Sequence, residues 1–278
     1  MNKLIYICII SPLIFLSCKK EIDIDYLEAD SRYVVEGSLS NLGTEVRVSK
    51  TNAMDNNSIS SEVDNATVVV TGDDGTSATI PFSLKDRNGY YRMSKLKGIP
   101  GVIYTLSVDV DGHHFTSTST MQRAIIRSVK DEEYPKFRLI WKKMLNQRYL
   151  WGDLRVQDIP NETNFYFMHI YRNGIGYRWA VMKDEKNPNK ELQQLFTFYR
   201  DGANDSDVLQ EGDKLKIIVR AIDERAYNYL YSMQQMSSTA TNPVENFTGG
   251  CLGYFSAHSE IEMYKDYHYS DIVEDDEE

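Results

Sequence analysis

Apolar residues recur at every second position over much of this chain, the spacing of strands with one buried face. Glu45-Val46-Arg47-Val48-Ser49-Lys50 alternates cleanly, and Arg32–Gly37 and Ala66–Thr71 are β-branched runs bounded by turn residues. Ala78–Leu84, Gly89–Met93, Val102–Val110 and His113–Thr120 read as further strands, the last two joined at Asp111-Gly112, a tight-hairpin signal. These strands fall within residues 31–122, with turns at regular spacing and a polar loop over 52–61. The pattern predicts an immunoglobulin-like β-sandwich without the cysteine pair of antibody domains.

A second β-rich region is expected over 150–267. Asp153–Asp158 alternates, Phe165–Tyr171 is an aromatic strand, and Tyr177–Met182, Leu192–Tyr199 and Lys214–Ile222 continue the series. A helix is predicted over 223–237. Asp223 suits its N-cap, and Ala226, Leu230, Met233 and Ser237 share one face with Tyr229 and Met236 beside it. Gly249–Ala257 joins flexible glycines to an apolar strand. Between the two regions, 123–149 is expected as a linker in which Phe137–Leu145 fits helix or strand equally. The expected fold is therefore mainly β: a sandwich, then a second β-rich domain carrying one packed helix.

Both chain ends break the alternation. Lys3 is followed by a mostly apolar run to Ser17, about fourteen residues and interrupted by Pro12. A spanning helix needs roughly 20 residues, so 1–17 reads as a secretion signal. Phe15-Leu16-Ser17-Cys18 resembles a bacterial lipobox, with Phe15 where Leu is usual. Cys18 is then the expected lipid attachment residue and 18–30 a tether. Lys19-Lys20-Glu21 followed by Asp23 and Asp25 resembles a signal for export to the cell surface. The opposite end, 268–278, is expected to be an acidic tail.

Charge and cysteine content narrow the function. The chain has 278 residues and a net charge of −10. Removing 1–17 takes away one lysine and no acid, leaving 30 basic against 41 acidic residues, net −11. Such a surface argues against nucleic acid and against anionic headgroups, so lipid on Cys18 would do the anchoring. Of Cys8, Cys18 and Cys251 only Cys251 is left for the folded part, so no disulfide is available there. Cys251 reads as a small core residue.

Candidate chemistry is sparse. No Gly-x-Ser-x-Gly elbow, phosphate loop or dinucleotide fingerprint occurs, so no catalytic residue and no cofactor is expected. His113 and His114 point to opposite faces of a strand. His258 and Glu260 share a face, but two ligands make a weak site, and no metal is expected. Asp109 to Gly112 fits a hairpin turn better than a calcium loop. Among the many aromatics, Trp151, Tyr177 and Trp179 are the candidate ligand-binding rings, against the plainer reading of core packing.

Several segments in order carry a family resemblance: the lipobox, Tyr33-Val34-Val35-Glu36-Gly37, Asp158-Ile159-Pro160-Asn161-Glu162-Thr163-Asn164-Phe165-Tyr166, Gly212-Asp213, Tyr227-Asn228-Tyr229-Leu230, and Asn242-Pro243 running to Gly253-Tyr254-Phe255. Their order resembles the domain-of-unknown-function 4249 family of Bacteroidetes lipoproteins. The resemblance implies a surface or outer-membrane lipoprotein near TonB-dependent transporters, acting in nutrient capture or as a transporter accessory. It supplies no catalytic residues. The expected function is non-enzymatic binding at the outer membrane, facing the cell surface. A structural or adhesive lipoprotein, or a hydrolase with an unrecognised site, are the alternatives.

Overall fold

A computed structural model describes residues 31–51, 62–85, 88–184, 191–239 and 243–274. The expected signal peptide, Cys18, the tether and the last four residues of the tail lie outside these. No helix among the described residues is long and apolar enough to cross a membrane.

The protein is mainly β. The first region holds β1 (Tyr33–Ser40), β2 (Thr44–Lys50), β3 (Thr67–Gly72), β4 (Ser77–Thr79), β5 (Phe82–Lys85), β6 (Asn88–Met93), β7 (Ile103–Val110) and β8 (His113–Thr120). The expected single strand Ala78–Leu84 is two. β4 pairs with β3 in one sheet and β5 with β6 in another, and the chain crosses between sheets at Ile80-Pro81. Proline has no N–H to continue a ladder. At Asp111-Gly112 both φ angles are positive, 48° and 79°, as a type I′ turn requires.

The expected linker 123–149 is instead built from strands: β9 (Ser128–Val129), β10 (Glu132–Glu133) and β11 (Lys136–Met144). β11 forms a hairpin with β12 (Gln147–Gln157). Leu139 and Ile140 are neighbours pointing to opposite faces, yet both are buried. That double burial removes the polar–apolar alternation that identifies a half-exposed strand.

The remaining elements are β13 (Phe165–Arg172), β14 (Ile175–Lys183), β15 (Glu191–Arg200), β16 (Lys214–Ile222), α1 (Glu224–Thr239), β17 (Leu252–Asp266) and β18 (Ile272–Glu274). The front of the expected acidic tail is thus ordered: β18 adds to β11 in parallel.

One eight-stranded sheet, in the order β14-β13-β16-β17-β1-β2-β6-β5, runs through both regions. Two four-stranded sheets, β4-β3-β7-β8 and β15-β12-β11-β18, pack on one of its faces. Val35, Leu39, Val46 and Phe255 meet Val68, Leu106, Val108 and Phe115 in the first core. Met168, Ile170, Ile217 and Val219 meet Leu150, Leu154, Phe196 and Phe198 in the second. Each such side chain contributes about 1.5–3 kcal/mol of burial.

The joint between the halves is β17. Its first part pairs in parallel with β1, Val34 opposite Leu252, and its second part pairs antiparallel with β16. The expected boundary between a 31–122 domain and a 150–267 domain is therefore crossed. Phe247, Cys251, Phe255 and Ala257 belong to the first core although they lie in the second region of sequence.

The helix forms where the alternation predicts it, one residue after Asp223. Ala226, Tyr229 and Leu230 are buried against Phe167 and Ile222, with Trp179 and Tyr254 at the margin. Met233 and Met236, expected on the packed face, are exposed. The apolar seam covers only the first half of α1.

Candidate functional site

Because the two small sheets occupy one face of the large sheet, its other face must be covered or wet. α1 covers the part around Phe167, Ile222 and Tyr254. Beyond it the face stays open as a groove of about 580 Å3.

Strand register sets the groove floor. Arg220 lies opposite Glu260 and Ile218 opposite Glu262 in the β16–β17 ladder. Tyr171 of β13 lies opposite Lys216 of β16. On the far side, Ser40 of β1 reaches Glu260, its Oγ donating to Oε1 at 3.0 Å. The turn after β1 and the β2–β6 pair form the wall, where Arg92 Nε donates to Glu45 Oε2 at 2.6 Å. Hydroxyls, one phenol ring and both signs of charge therefore converge on a surface that Leu42 and Ile218 also line.

The framework beneath is rigid. Arg220 Nε donates to Glu260 Oε2 at 2.9 Å, and both side chains are mostly buried. Asn41 clamps the Glu260 main chain, accepting its N–H at 2.7 Å and donating to its carbonyl at 3.3 Å. Burial opposes charge on Glu260, yet His258 and the Arg220 guanidinium hold its carboxyl well below the usual carboxylate range. His258 is buried, and burial lowers its pKa; its Nε2 lies 3.6 Å from Glu260 Oε2 without a hydrogen-bond partner. Lys216 Nζ pairs with Glu262 at 2.6 Å. Next to Tyr171, with ring centroids 4.0 Å apart, His169 has its pKa lowered to about 4 by burial and by Arg220.

Glu45, Glu260 and Glu262 each face a basic partner. Glu260, held ionised beside Arg220, is a poor general acid at neutral pH. Among the described residues, no group of three or more His, Cys, Asp or Glu side chains gathers around a metal position.

The three candidate rings do not meet in the groove or with one another. Trp179 packs edge-on to Phe167 under α1. Tyr177 packs on Phe198, its hydroxyl donating to the Asp207 carbonyl at 2.5 Å. Trp151 sits on β12, in the small sheet, opposite Ile140 and Thr197. His113 packs between Tyr33 and Phe115, while His114 pairs with Asp109 at 2.6 Å. Cys251 is buried, and burial pushes its thiol up to about 12.

Tyr171, Lys216, Arg220 and the Ser40–Glu260 contact were not singled out from the sequence. The available signal was the polar set Lys214, Lys216 and Arg220 at even positions of one strand, with Glu260 and Glu262 likewise on another. Such a set is also what any solvated strand face presents.

No curated protein matches the chain. A family model described as Domain of unknown function (DUF4249) matches residues 19–262. The chain belongs to that family.

Proposed function

We propose that this protein is a non-enzymatic binding protein, held at the outer-membrane surface by lipid on Cys18, that presents a solute or itself to a TonB-dependent transporter. The observation that carries the binding reading is the open groove over β1, β13, β16 and β17, floored by Ser40, Tyr171, Lys216 and the Arg220–Glu260 pair. Paired charges of both signs suit an uncharged or zwitterionic polar solute, which needs many hydrogen bonds and no net counter-charge. Tyr171 offers a ring face for stacking. The lipobox-like Phe15-Leu16-Ser17-Cys18 supports the anchor.

Titration calorimetry against neutral oligosaccharides and short zwitterionic peptides tests the binding reading. Binding by the wild type that is lost in Tyr171→Ala and Lys216→Ala, two variants that leave both cores intact, is the expected result. Binding unchanged in both variants places the ligand elsewhere and removes the groove from the argument. Affinity purification from the native outer membrane, read by mass spectrometry, tests the anchor and the partner. Acylated Cys18 with a stoichiometric transporter is expected; an unacylated protein recovered alone overturns that part.

A further inference from the structure

Two small sheets share one face of the large sheet, so the chain has to cross from one to the other after β8. Residues 121–127 make that crossing. Its start is pinned to the strands beneath. The Met121 N–H donates to the Val102 carbonyl and the Met121 carbonyl accepts the Gly101 N–H, both at 2.9 Å. The Ser259 hydroxyl donates to the Gln122 carbonyl at 2.8 Å. Met121 belongs to the first core and Ile125 to the second, while Ala124 and Arg127 stay exposed.

A cavity of about 120 Å3 remains beneath the crossing. Met121, Ile125 and Ile261 are its buried apolar walls, and Pro100, Ala124 and Arg127 form its exposed rim. It is distinct from the groove. Glu260 borders both, but its carboxylate is committed to the groove side, where it accepts from Arg220 and Ser40. The Glu260 main chain is held by Asn41, which occupies the Asn41 amide as well. With Ser259 bonded to Gln122, every polar side chain of the lining has a partner except Arg127.

Arg127 stands apart from its neighbours in sequence. Arg123 pairs with Glu162 at 3.6 Å and Arg138 with Asp153 at 2.7 Å. Among the described residues, no acid or carbonyl takes the Arg127 guanidinium. That group is permanently charged and carries five N–H donors. An apolar cavity with such a donor at its mouth fits a ligand with an aliphatic tail and an anionic head. A carboxylate matches a guanidinium through two parallel N–H···O bonds. Volume sets the length of the tail. A cavity of about 150 Å3 admits benzene, so this smaller one admits a chain of about four to five carbons.

We propose that the cavity beneath residues 121–127 binds a short unbranched monocarboxylate, its carboxylate on Arg127 and its tail against Met121, Ile125 and Ile261. This is a second site, independent of the groove. Its occupant touches side chains of both cores at the joint between the two halves.

The test uses the full mature chain and ligand-observed NMR. Acetate, butyrate, pentanoate and octanoate are the probes, and butyramide is the uncharged control. Saturable butyrate binding is expected. Affinity should rise about fourfold per added methylene up to pentanoate and fall again at octanoate. Arg127→Gln should weaken butyrate binding by about tenfold to a hundredfold, and Ala124→Phe should block the mouth. Both positions are exposed, so both variants are expected to fold. Tyr171→Ala, in the groove, should leave butyrate binding unchanged; its loss there would place the ligand in the groove and overturn the second site. Absence of saturable binding to the wild type overturns the proposal. Butyrate binding unchanged in Arg127→Gln, or butyramide bound as tightly as butyrate, overturns it equally.

Discussion

The Asp223 carboxylate accepts the Ala226 N–H with one oxygen and the Thr120 N–H with the other, both at 2.9 Å. One buried side chain thus starts α1 and fastens it to the end of β8, more than a hundred positions earlier in sequence. Asp223→Ala removes the helix cap and leaves the Thr120 amide without its acceptor. The expected loss is about 2–4 kcal/mol, read by urea unfolding, with a smaller loss in Asp223→Asn. An alanine variant within 0.5 kcal/mol of wild type would show that the cap carries little.

A different kind of seam joins β1 to β17. Gly253 has φ +104°, and a Cβ there would lie 1.9 Å from the Val35 carbonyl oxygen. Gly253→Ala combines a backbone conformation unfavourable to alanine with a main-chain clash. We expect it to cost more than about 3 kcal/mol and to appear as insoluble protein on expression. Soluble variant with wild-type Tm contradicts this close approach.

The Arg220–Glu260 pair gives a double-mutant prediction. Arg220→Met alone strands a buried carboxylate and should cost about 3–5 kcal/mol, whereas Arg220→Met with Glu260→Met should recover most of that. Equal destabilisation by the single and the double variant would mean that the two charges are not coupled.

His169 sets an acid sensitivity. Its folded pKa of about 4 lies below the ordinary 6.5, so the unfolded state takes up the proton first. Stability is full above pH 6.5 and declines as pH falls toward 4. The share due to His169 is about 2 kcal/mol. His258, also lowered by burial, adds a loss of the same sign. Denaturation at pH 7 and pH 4.5 should show a smaller difference in His169→Gln than in wild type; an equal difference assigns the acid response to other groups.

Cys251 should be inert. In a chain beginning at Lys19 it is the only cysteine, and its thiol is buried with its pKa pushed up to about 12. A thiol reagent at pH 8 is expected to label it only after denaturant is added. Rapid labelling of the native protein would show that the region around β17 opens readily.

The strands of the first region were legible because each exposes one face: Val46 and Val48 go inward while Glu45 and Arg47 go outward. The helix was legible from its capping acid, but not the extent of its packing, since Met233 and Met236 look as apolar as Leu230. β11 was illegible because its two buried residues, Leu139 and Ile140, are adjacent and so break the alternation, while Arg138, Lys143 and Met144 are exposed. Gly249–Ala257 and the shared face of His258 and Glu260 were read as strand, while the continuation of β17 to Asp266 depends on its pairing with β16, where Arg220 lies opposite Glu260 and Lys216 reaches Glu262. The groove depends on that register, which local periodicity does not encode. Trp151, Tyr177 and Trp179 stood out as large rings, yet their size suits packing as well as recognition.

Pairing Val34 with Leu252 has a consequence for the order of events during synthesis. The first core lacks Phe247, Cys251, Phe255 and Ala257 until nearly the whole polypeptide has emerged. Until then β1 presents an unpaired edge, the kind of surface that recruits stray strands. Folding of the first half must therefore wait for the last, and the long separation between partners predicts slow closure. A ribosome stalled or a protease cut before residue 250 would release a product with an open seam rather than a finished smaller domain.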